Sequence, residues 1–141
     1  MKNEISVVSL DKRFKKNERG IQDAAHFFLE TLSKNKTGVE VFLVGDKKMR
    51  AINQKHRGKS SSTNVLAFEA PGDFPSANKK LLELGEIYLS PTYIKKHDED
   101  INYMLLHGIL HLLGFNHENK SDRIKMEKVE DKFTKWLNNK S

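Results

Sequence analysis

Three histidines in the C-terminal third of the chain have the spacing of a metal site. They are His107, His111 and His117, in the segment H-G-I-L-H-L-L-G-F-N-H. Residues four positions apart lie on one face of a helix, so the first two imidazoles point to the same side. Gly114 is expected to end that helix in a left-handed conformation and to bring His117 back toward the same ion. Three protein ligands with an open fourth position are typical of a catalytic zinc site.

The same spacing occurs in the metzincin proteases, whose pattern is H-E-x-x-H-x-x-G-x-x-H. Gly108 stands where those enzymes carry the glutamate that acts as general base. The pattern therefore indicates a metal site but argues against peptide hydrolysis. Glu86 and Glu118 are the alternative candidates for the base. Glycine inside a helix costs about 1 kcal/mol relative to alanine, so we expect either a ligand or a closely packed neighbouring element beside Gly108.

The segment around the first two histidines predicts a buried helix. Residues 103–115 are apolar apart from the two histidines and two glycines, so this helix would have apolar residues on all sides. A buried polar group without a partner costs about 1–3 kcal/mol. One buried histidine is commonly a hydrogen-bonded core residue. Three in this frame, with a glycine before the third, favour a metal.

A basic loop at residues 55–64 has the sequence K-H-R-G-K-S-S-S-T-N. Arginine binds phosphate through two parallel hydrogen bonds, and hydroxyl groups add neutral donors. Arg57 is therefore the candidate catalytic residue for a phosphodiester substrate, although a solvated loop without function is the alternative. The candidate RNA contacts beside it are Lys55, Lys59, Ser60 and Ser61. His56 is a weaker candidate, and we expect His26 and His97 at the surface.

The whole chain has 141 residues, of which 37% are hydrophobic and 31% charged, and a net charge of +6. This length predicts one domain over residues 1–141. No apolar run approaches the roughly 20 residues that span a bilayer, and no signal peptide is evident, so we expect a cytoplasmic protein. The absence of cysteine excludes disulfides and thiolate ligands. The positive charge favours a polyanionic partner, although many lysine-rich proteins bind no nucleic acid.

Hydrophobic periodicity predicts an α/β layered domain with one central, mostly parallel sheet of about four strands packed by helices. The buried central helix of that domain carries the metal ligands. The predicted strands are residues 5–10, 39–44, 64–69 and 86–90. The predicted helices are residues 17–34, 46–55, 91–97 and 121–137, and one that starts at Asp98 or Asp100 and carries the histidines. Two prolines and a glycine predict an irregular segment at residues 70–80.

Four segments together resemble the YbeY family of bacterial metal-dependent endoribonucleases, which is implicated in ribosomal RNA maturation. The family motif H-G-x-x-H-L-x-G-x-x-H corresponds to residues 107–117. Its N-x-x-x-R, T-[DN]-V-L-[SA]-F and L-G-[DE]-I segments correspond to residues 53–57, 63–68 and 84–87. The segments occur in the family's order, whereas the first fifty residues match only in their pattern of helix and strand.

The resemblance implies a central sheet, zinc held by His107, His111 and His117, and a functional Arg57. Two positions depart from the commonest family pattern: Asn116 and Glu86 both stand where aspartate is usual. The loss of charge at Asn116 could weaken the support of a metal ligand, although an amide can still hydrogen-bond. Neither departure removes a ligand.

Together with the metal site and the basic loop, the resemblance implies a single-strand-specific, zinc-dependent endoribonuclease for ribosomal RNA processing and ribosome maturation and quality control. It would hydrolyse or transesterify RNA phosphodiester bonds with one Zn²⁺ per chain and assistance from Arg57. The expected partners are ribosomal RNA and ribosomal proteins or the small subunit, with neither DNA nor a membrane. One alternative is a zinc metallopeptidase-like hydrolase, and another is a non-catalytic RNA- or ribosome-binding assembly factor with structural zinc. Three histidines also suit nickel or copper.

Overall fold

The computed structural model describes residues 2–71, 81–116 and 118–140. Its strands are β1 (Glu4–Ser9), β2 (Thr37–Leu43), β3 (Val65–Glu69) and β4 (Leu82–Leu89). Its helices are α1 (Glu18–Thr31), α2 (Asp46–Arg57), α3 (Pro91–Lys96), α4 (Ile101–Leu112), α5 (Lys120–Asp131) and α6 (Thr134–Lys140), with a 3-10 helix at Lys12–Asn17. His117 and most of the segment predicted to be irregular lie outside the described residues.

The four strands form one sheet in the order β1-β2-β4-β3. The pairs β1/β2 and β2/β4 are parallel, while β3 pairs antiparallel with β4 and leaves its other side at the edge. In register, Val41 of β2 lies opposite Val7 of β1 and Ile87 of β4. This confirms the predicted α/β fold with a mostly parallel central sheet.

Helices pack on both faces of this sheet, because side chains along a strand point alternately to opposite sides. On one face, Ile87 joins the larger apolar core with Phe28 of α1 and Leu106 of α4. On the other face, the next residue, Tyr88, packs against the smaller core that contains Met49 of α2. The face that a β4 residue occupies therefore decides which helix it meets.

Helix α4 is the buried central helix that the sequence predicted, and it approaches β4 closely at Gly108. A Cβ atom added to Gly108 would lie 3.1 Å from the Cγ2 of Ile87 and 3.2 Å from its Cδ1. Both distances are shorter than ordinary van der Waals separation, so the absence of a side chain lets the helix lie against the sheet. The glycine is thus explained by a closely packed neighbouring element, the second of the two expectations.

The C-terminal helix differs from the prediction. One helix was expected over residues 121–137, whereas α5 ends at Asp131 and α6 begins at Thr134. Between them Phe133 is 1% exposed and packs edge-on against Phe28, with ring centroids 5.2 Å apart. Its N–H donates to the Glu130 carbonyl at 2.9 Å, an i to i−3 bond that tightens the turn. The break depends on packing against α1, which a periodic pattern does not reveal.

A smaller difference concerns α2. Gly45 is its N-cap, and the helix extends two residues beyond the predicted end, to Arg57. Gly58 then closes it in the left-handed region with φ of 69°. Among the described residues, no helix is both long enough and apolar enough to cross a membrane.

Candidate functional site

The two described histidines of the motif face one another from adjacent turns of α4. Asp100 caps this helix through its carboxylate, which accepts from the backbone N–H of Asn102 at 2.8 Å and of Tyr103 at 3.4 Å. With the start fixed in this way, His107 and His111 fall on one face, as their spacing predicted. Their Nε2 atoms are 3.1 Å apart and their ring centroids 4.6 Å apart.

This separation fits two ligands of one metal ion. Zinc binds histidine nitrogen at about 2.0–2.1 Å, and two nitrogens at a tetrahedral angle on one zinc lie about 3.4 Å apart. The observed 3.1 Å is close to that value. The same distance also suits a hydrogen bond between the two rings when one of them carries a proton on Nε2. The pair can therefore hold either one shared proton or one cation. Within residues 2–71, 81–116 and 118–140, no three His, Asp or Glu side chains are grouped to hold a metal.

The end of α4 has the conformation that the sequence predicted for Gly114. This glycine has a φ of 97°, and its N–H donates to the His111 carbonyl at 3.0 Å. The N–H of Phe115 reaches back to the Leu110 carbonyl at 2.9 Å, which completes a Schellman motif. The chain therefore reverses direction immediately after the histidine pair.

A side-chain hydrogen bond joins Asn116 to Glu118, while His117 itself lies outside the described residues. The Asn116 Oδ1 accepts from the backbone N–H of Glu118 at 3.0 Å. An aspartate would accept the same bond, so the amide preserves this contact. The Glu118 side chain is exposed.

A buried carboxylate that the sequence analysis missed lies beside the histidine pair. Glu130 of α5 is 8% exposed. Its Oε2 accepts a hydrogen bond from the Tyr103 hydroxyl at 3.1 Å and lies 3.7 Å from the Nδ1 of His107. Burial, the charge of Glu130 and this hydrogen bond together raise the pKa of Tyr103 to about 12. The phenol is therefore protonated, and can donate to Glu130, throughout the neutral range.

The sequence did carry a signal for Glu130. Met126, Glu130 and Phe133 follow one another at steps of four and three residues, and all three are buried. A glutamate in the apolar stripe of a helix requires a partner, because unpaired buried charge is costly. That signal locates a polar contact, but the identity of the partner depends on how α4 and α5 pack.

The histidine pair opens on a cleft of about 560 Å³ between α4 and the edge strand β3. The walls are partly polar and partly apolar. They are formed by Arg57, Thr63, Asn64, Val65, Leu66, Ala67, Phe68, Tyr103, Met104, His107, Gly108 and His111. The structure thus brings Arg57, the last residue of α2, to the same cleft as the two histidines, although the two segments are fifty residues apart in sequence.

The loop that follows Arg57 is held at several points. Asn53, 1% exposed, donates from Nδ2 to the Ser61 carbonyl at 2.8 Å. The Ser62 hydroxyl donates to Asp46 at 3.1 Å. Asn64 donates to the Glu99 carboxylate at 3.2 Å. The loop therefore has a defined backbone, while the Arg57 side chain is exposed to solvent.

None of the remaining candidates lines this cleft. The residues proposed to contact RNA are exposed, and none of them is among the cleft-lining residues: Lys55, Lys59, Ser60 and Ser61. The His56 ring packs against Phe68 with centroids 4.6 Å apart. His97 is exposed at the end of α3, as expected, and His26 is half-buried.

The structure removes one candidate for the general base. Glu86 accepts a hydrogen bond from the Tyr88 hydroxyl at 3.0 Å. The residue between them, Ile87, is the one that meets Gly108 of α4. Because neighbouring residues of a strand point to opposite faces, Glu86 lies on the α2 side of the sheet and away from the histidines.

Comparison with known proteins identifies the family. The family described as Endoribonuclease YbeY matches residues 2–138 of this chain. The chain belongs to the YbeY family. This confirms the resemblance seen in its four motifs. Gly108, the glycine of the H-G-x-x-H motif, is the residue that packs against Ile87.

Curated relatives named Endoribonuclease YbeY are similar to large parts of the chain. The Thermodesulfovibrio yellowstonii protein is 42% identical over 103 residues, which cover 67% of this chain and 63% of that protein. The Buchnera aphidicola protein is 36% identical over 115 residues, covering 74% and 70%. The Sulfurihydrogenibium protein is 33% identical over 127 residues, covering 81% and 82%. The match to the first spans less than two thirds of that relative's length.

A solved structure supports the fold. The solution structure of a Thermotoga maritima protein is 25% identical in sequence, with a TM-score of 0.56. The alignment covers 96% of this chain and 93% of that protein. The fold of this chain is thus similar to that of a solved protein over almost its whole length.

Proposed function

We propose that this YbeY family member is a single-strand-specific, metal-dependent endoribonuclease that processes ribosomal RNA in the cytoplasm. One zinc ion would be held by His107, His111 and His117, and Arg57 would bind the phosphate that is cleaved. The observation that carries the proposal is the cleft that joins Arg57 to two facing imidazole nitrogens 3.1 Å apart. The name Endoribonuclease YbeY of the family and its curated relatives supports an RNA substrate.

The donor set suits an ion with an open position for substrate. Bound zinc would supply Lewis-acid polarisation of a phosphoryl oxygen or of water. On the protein side, the packing of α4 on the sheet and the cap at Asp100 hold the two imidazoles in place. The half-buried position of both histidines limits the number of waters that compete for the site.

Arg57 provides positive charge at the cleft without being fixed by an ion pair among the described residues. Its guanidinium can donate two parallel hydrogen bonds to non-bridging phosphate oxygens, where negative charge grows in the transition state. The hydrogen bond between Asn53 and Ser61 holds the loop that follows Arg57. The Arg57 side chain therefore projects from a fixed part of the backbone. This arrangement favours transition-state stabilisation over simple attraction of RNA.

The mixed apolar and polar lining of the cleft supports a single-stranded substrate. Phe68 and Met104 give it apolar surface, and Thr63 and Asn64 add polar groups. Unpaired RNA can turn its bases toward such surfaces, whereas bases in a duplex remain stacked. The exposed Lys55, Lys59, Ser60 and Ser61 would contact flanking phosphates outside the cleft. The further partners in this proposal are ribosomal proteins or the small ribosomal subunit.

A peptidase function is less well supported. In the metzincin pattern a glutamate occupies the position of Gly108. A Cβ atom at Gly108 would point at Ile87 in the core and lie 3.1 Å from it. A glutamate at this position would therefore crowd Ile87 of the sheet at its first side-chain carbon.

The decisive test combines metal analysis with cleavage of a defined single-stranded RNA. The wild type should contain about one metal per chain and cleave the RNA. Arg57→Ala should lower cleavage by roughly 100-fold or more, as loss of an oxyanion donor does, while RNA affinity falls much less. Arg123→Ala, which removes an exposed arginine from α5, is the matched control and should cleave normally. Equal losses of cleavage and binding in Arg57→Ala would instead count against a catalytic role for Arg57.

A further inference from the structure

Glu130 is buried where two helices cross beside the histidine pair. Its side chain comes from α5, whereas its two partners, Tyr103 and His107, lie one turn apart on α4. Residues at this spacing share a helix face, so one carboxylate can reach both. A single oxygen, Oε2, makes both contacts, at 3.1 Å to the Tyr103 hydroxyl and 3.7 Å to the His107 Nδ1.

We propose that Glu130, held in place by Tyr103, is a positioning residue for His107. Its carboxylate keeps the imidazole in the Nδ1–H form and so directs the Nε2 lone pair toward His111. The inference rests on the proposed metal site, because the direction of this lone pair matters most when Nε2 binds a cation. Glu130 does not itself reach the cleft lining.

Electrostatics decides between the two neutral forms of His107. At 3.7 Å the carboxylate is beyond the usual hydrogen-bond distance of about 2.7–3.2 Å, so it acts through its charge. When Nδ1 carries the proton, its N–H points a partial positive charge at the Glu130 carboxylate, which is favourable. When Nε2 carries the proton, the lone pair on Nδ1 faces the carboxylate and is repelled. The favoured Nδ1–H form is also the one that leaves Nε2 without a proton. Side chains that hold the second nitrogen of a metal-binding histidine act in this way in many metal sites.

Tyr103 holds the Glu130 carboxylate in the position from which it acts on His107. Its hydroxyl donates to Oε2, and its raised pKa keeps it a donor throughout the neutral range. Without that bond, the buried carboxylate would lose one of the interactions that offset its desolvation. Tyr103 also lines the cleft, so the chain of contacts runs from the substrate cavity to Glu130 and then to His107.

The first test is the affinity of the purified protein for Zn²⁺, measured by competition with a chelator of known affinity. Glu130→Gln preserves the shape of the side chain and removes its charge. We expect its Zn²⁺ affinity to fall by about 10–100-fold. Glu127→Gln removes the same charge from an exposed position of the same helix and should bind like the wild type. Affinity of Glu130→Gln within about twofold of the control would overturn the proposal.

The second test measures which ring nitrogen of His107 carries the proton, and it needs no metal. Nitrogen NMR of the chelator-treated protein, at a pH well above the reference histidine value of about 6.5, distinguishes the two neutral forms. The proposal requires the Nδ1–H form for His107 in the wild type and a shift toward the Nε2–H form in Glu130→Gln. A wild-type His107 protonated on Nε2 would contradict it. This measurement tests the role of Glu130 separately from the proposed zinc site, since it gives a result even if the wild type binds no zinc.

A third variant covers the case in which Glu130→Gln does not fold. Tyr103→Phe leaves the carboxylate in place and removes only the hydroxyl that holds it. We expect a weaker effect of the same sign on both the Zn²⁺ affinity and the His107 NMR signature. Unchanged values for a folded Tyr103→Phe, together with a wild-type His107 protonated on Nε2, would exclude the role of this network.

Discussion

Gly108 of the histidine helix packs directly against Ile87 of the sheet. A Cβ atom on Gly108 would lie 3.1 Å from the Cγ2 of Ile87, whose side chain is fully buried. The position that carries a catalytic glutamate in metzincins is therefore a packing position in this chain. The same glycine determines how far α4, with both described histidines, sits from β4.

Gly108→Ala should destabilise the protein by about 1 kcal/mol, although alanine is the better helix former. The overpacking of a buried, β-branched Ile87 should exceed the gain in helix propensity. Chemical denaturation measures the change. Gly20→Ala in α1 is the control, since a Cβ atom there meets nothing within 4 Å, and it should stabilise the protein. A stabilised Gly108→Ala would show that α4 can move away from β4 at no cost.

Lys55 and Lys59 should contribute to RNA binding rather than to the cleavage step. Both are exposed beside Arg57 but outside the cleft lining. Each replacement by alanine should weaken binding of single-stranded RNA and reduce the slope of log affinity against log salt by about 0.7. Fluorescence anisotropy over a range of salt concentrations measures this slope. Lys125→Ala, at an exposed position of α5, should leave it unchanged.

Two of the three tyrosines should ionise only at strongly alkaline pH. Burial is the main cause that raises the pKa values of Tyr88 and Tyr103 to about 12, with Glu86 and Glu130 as their hydrogen-bond partners. Because each folded-state value exceeds the unfolded value of about 10, their contribution to stability is complete below pH 10. It should be lost as the pH rises toward 12. Ultraviolet titration of tyrosinate should show one late-ionising group fewer in Tyr88→Phe and in Tyr103→Phe. Ionisation of all three at their ordinary value would contradict this.

Much of the fold followed from local patterns. Alternating and helical periodicity located the four strands and the histidine helix, since these patterns reflect burial on one or more faces. The left-handed Gly114 also followed, because helices commonly end with a glycine in this conformation. These features depend on neighbours in sequence, so the sequence contains what is needed to predict them.

The rest depends on contacts between distant segments. Glu130 and Tyr103 are 27 residues apart, and the sequence around either residue does not indicate that the two are in contact. The break of the last helix at Phe133 results from packing against Phe28 of α1. The exclusion of Glu86 required knowledge of which sheet face α4 covers. The sequence could predict these groups as polar or apolar, but not their partners.

We propose that the His107 and His111 pair forms part of a metal site on which RNA cleavage depends. The most direct measurement is the rate of cleavage of single-stranded RNA by chelator-treated protein as zinc is added back. The rate should be very low without metal and should saturate at about one zinc per chain. His111→Ala should not respond at the same concentrations. Full cleavage by the treated wild type, or equal zinc responses in both proteins, would contradict the account.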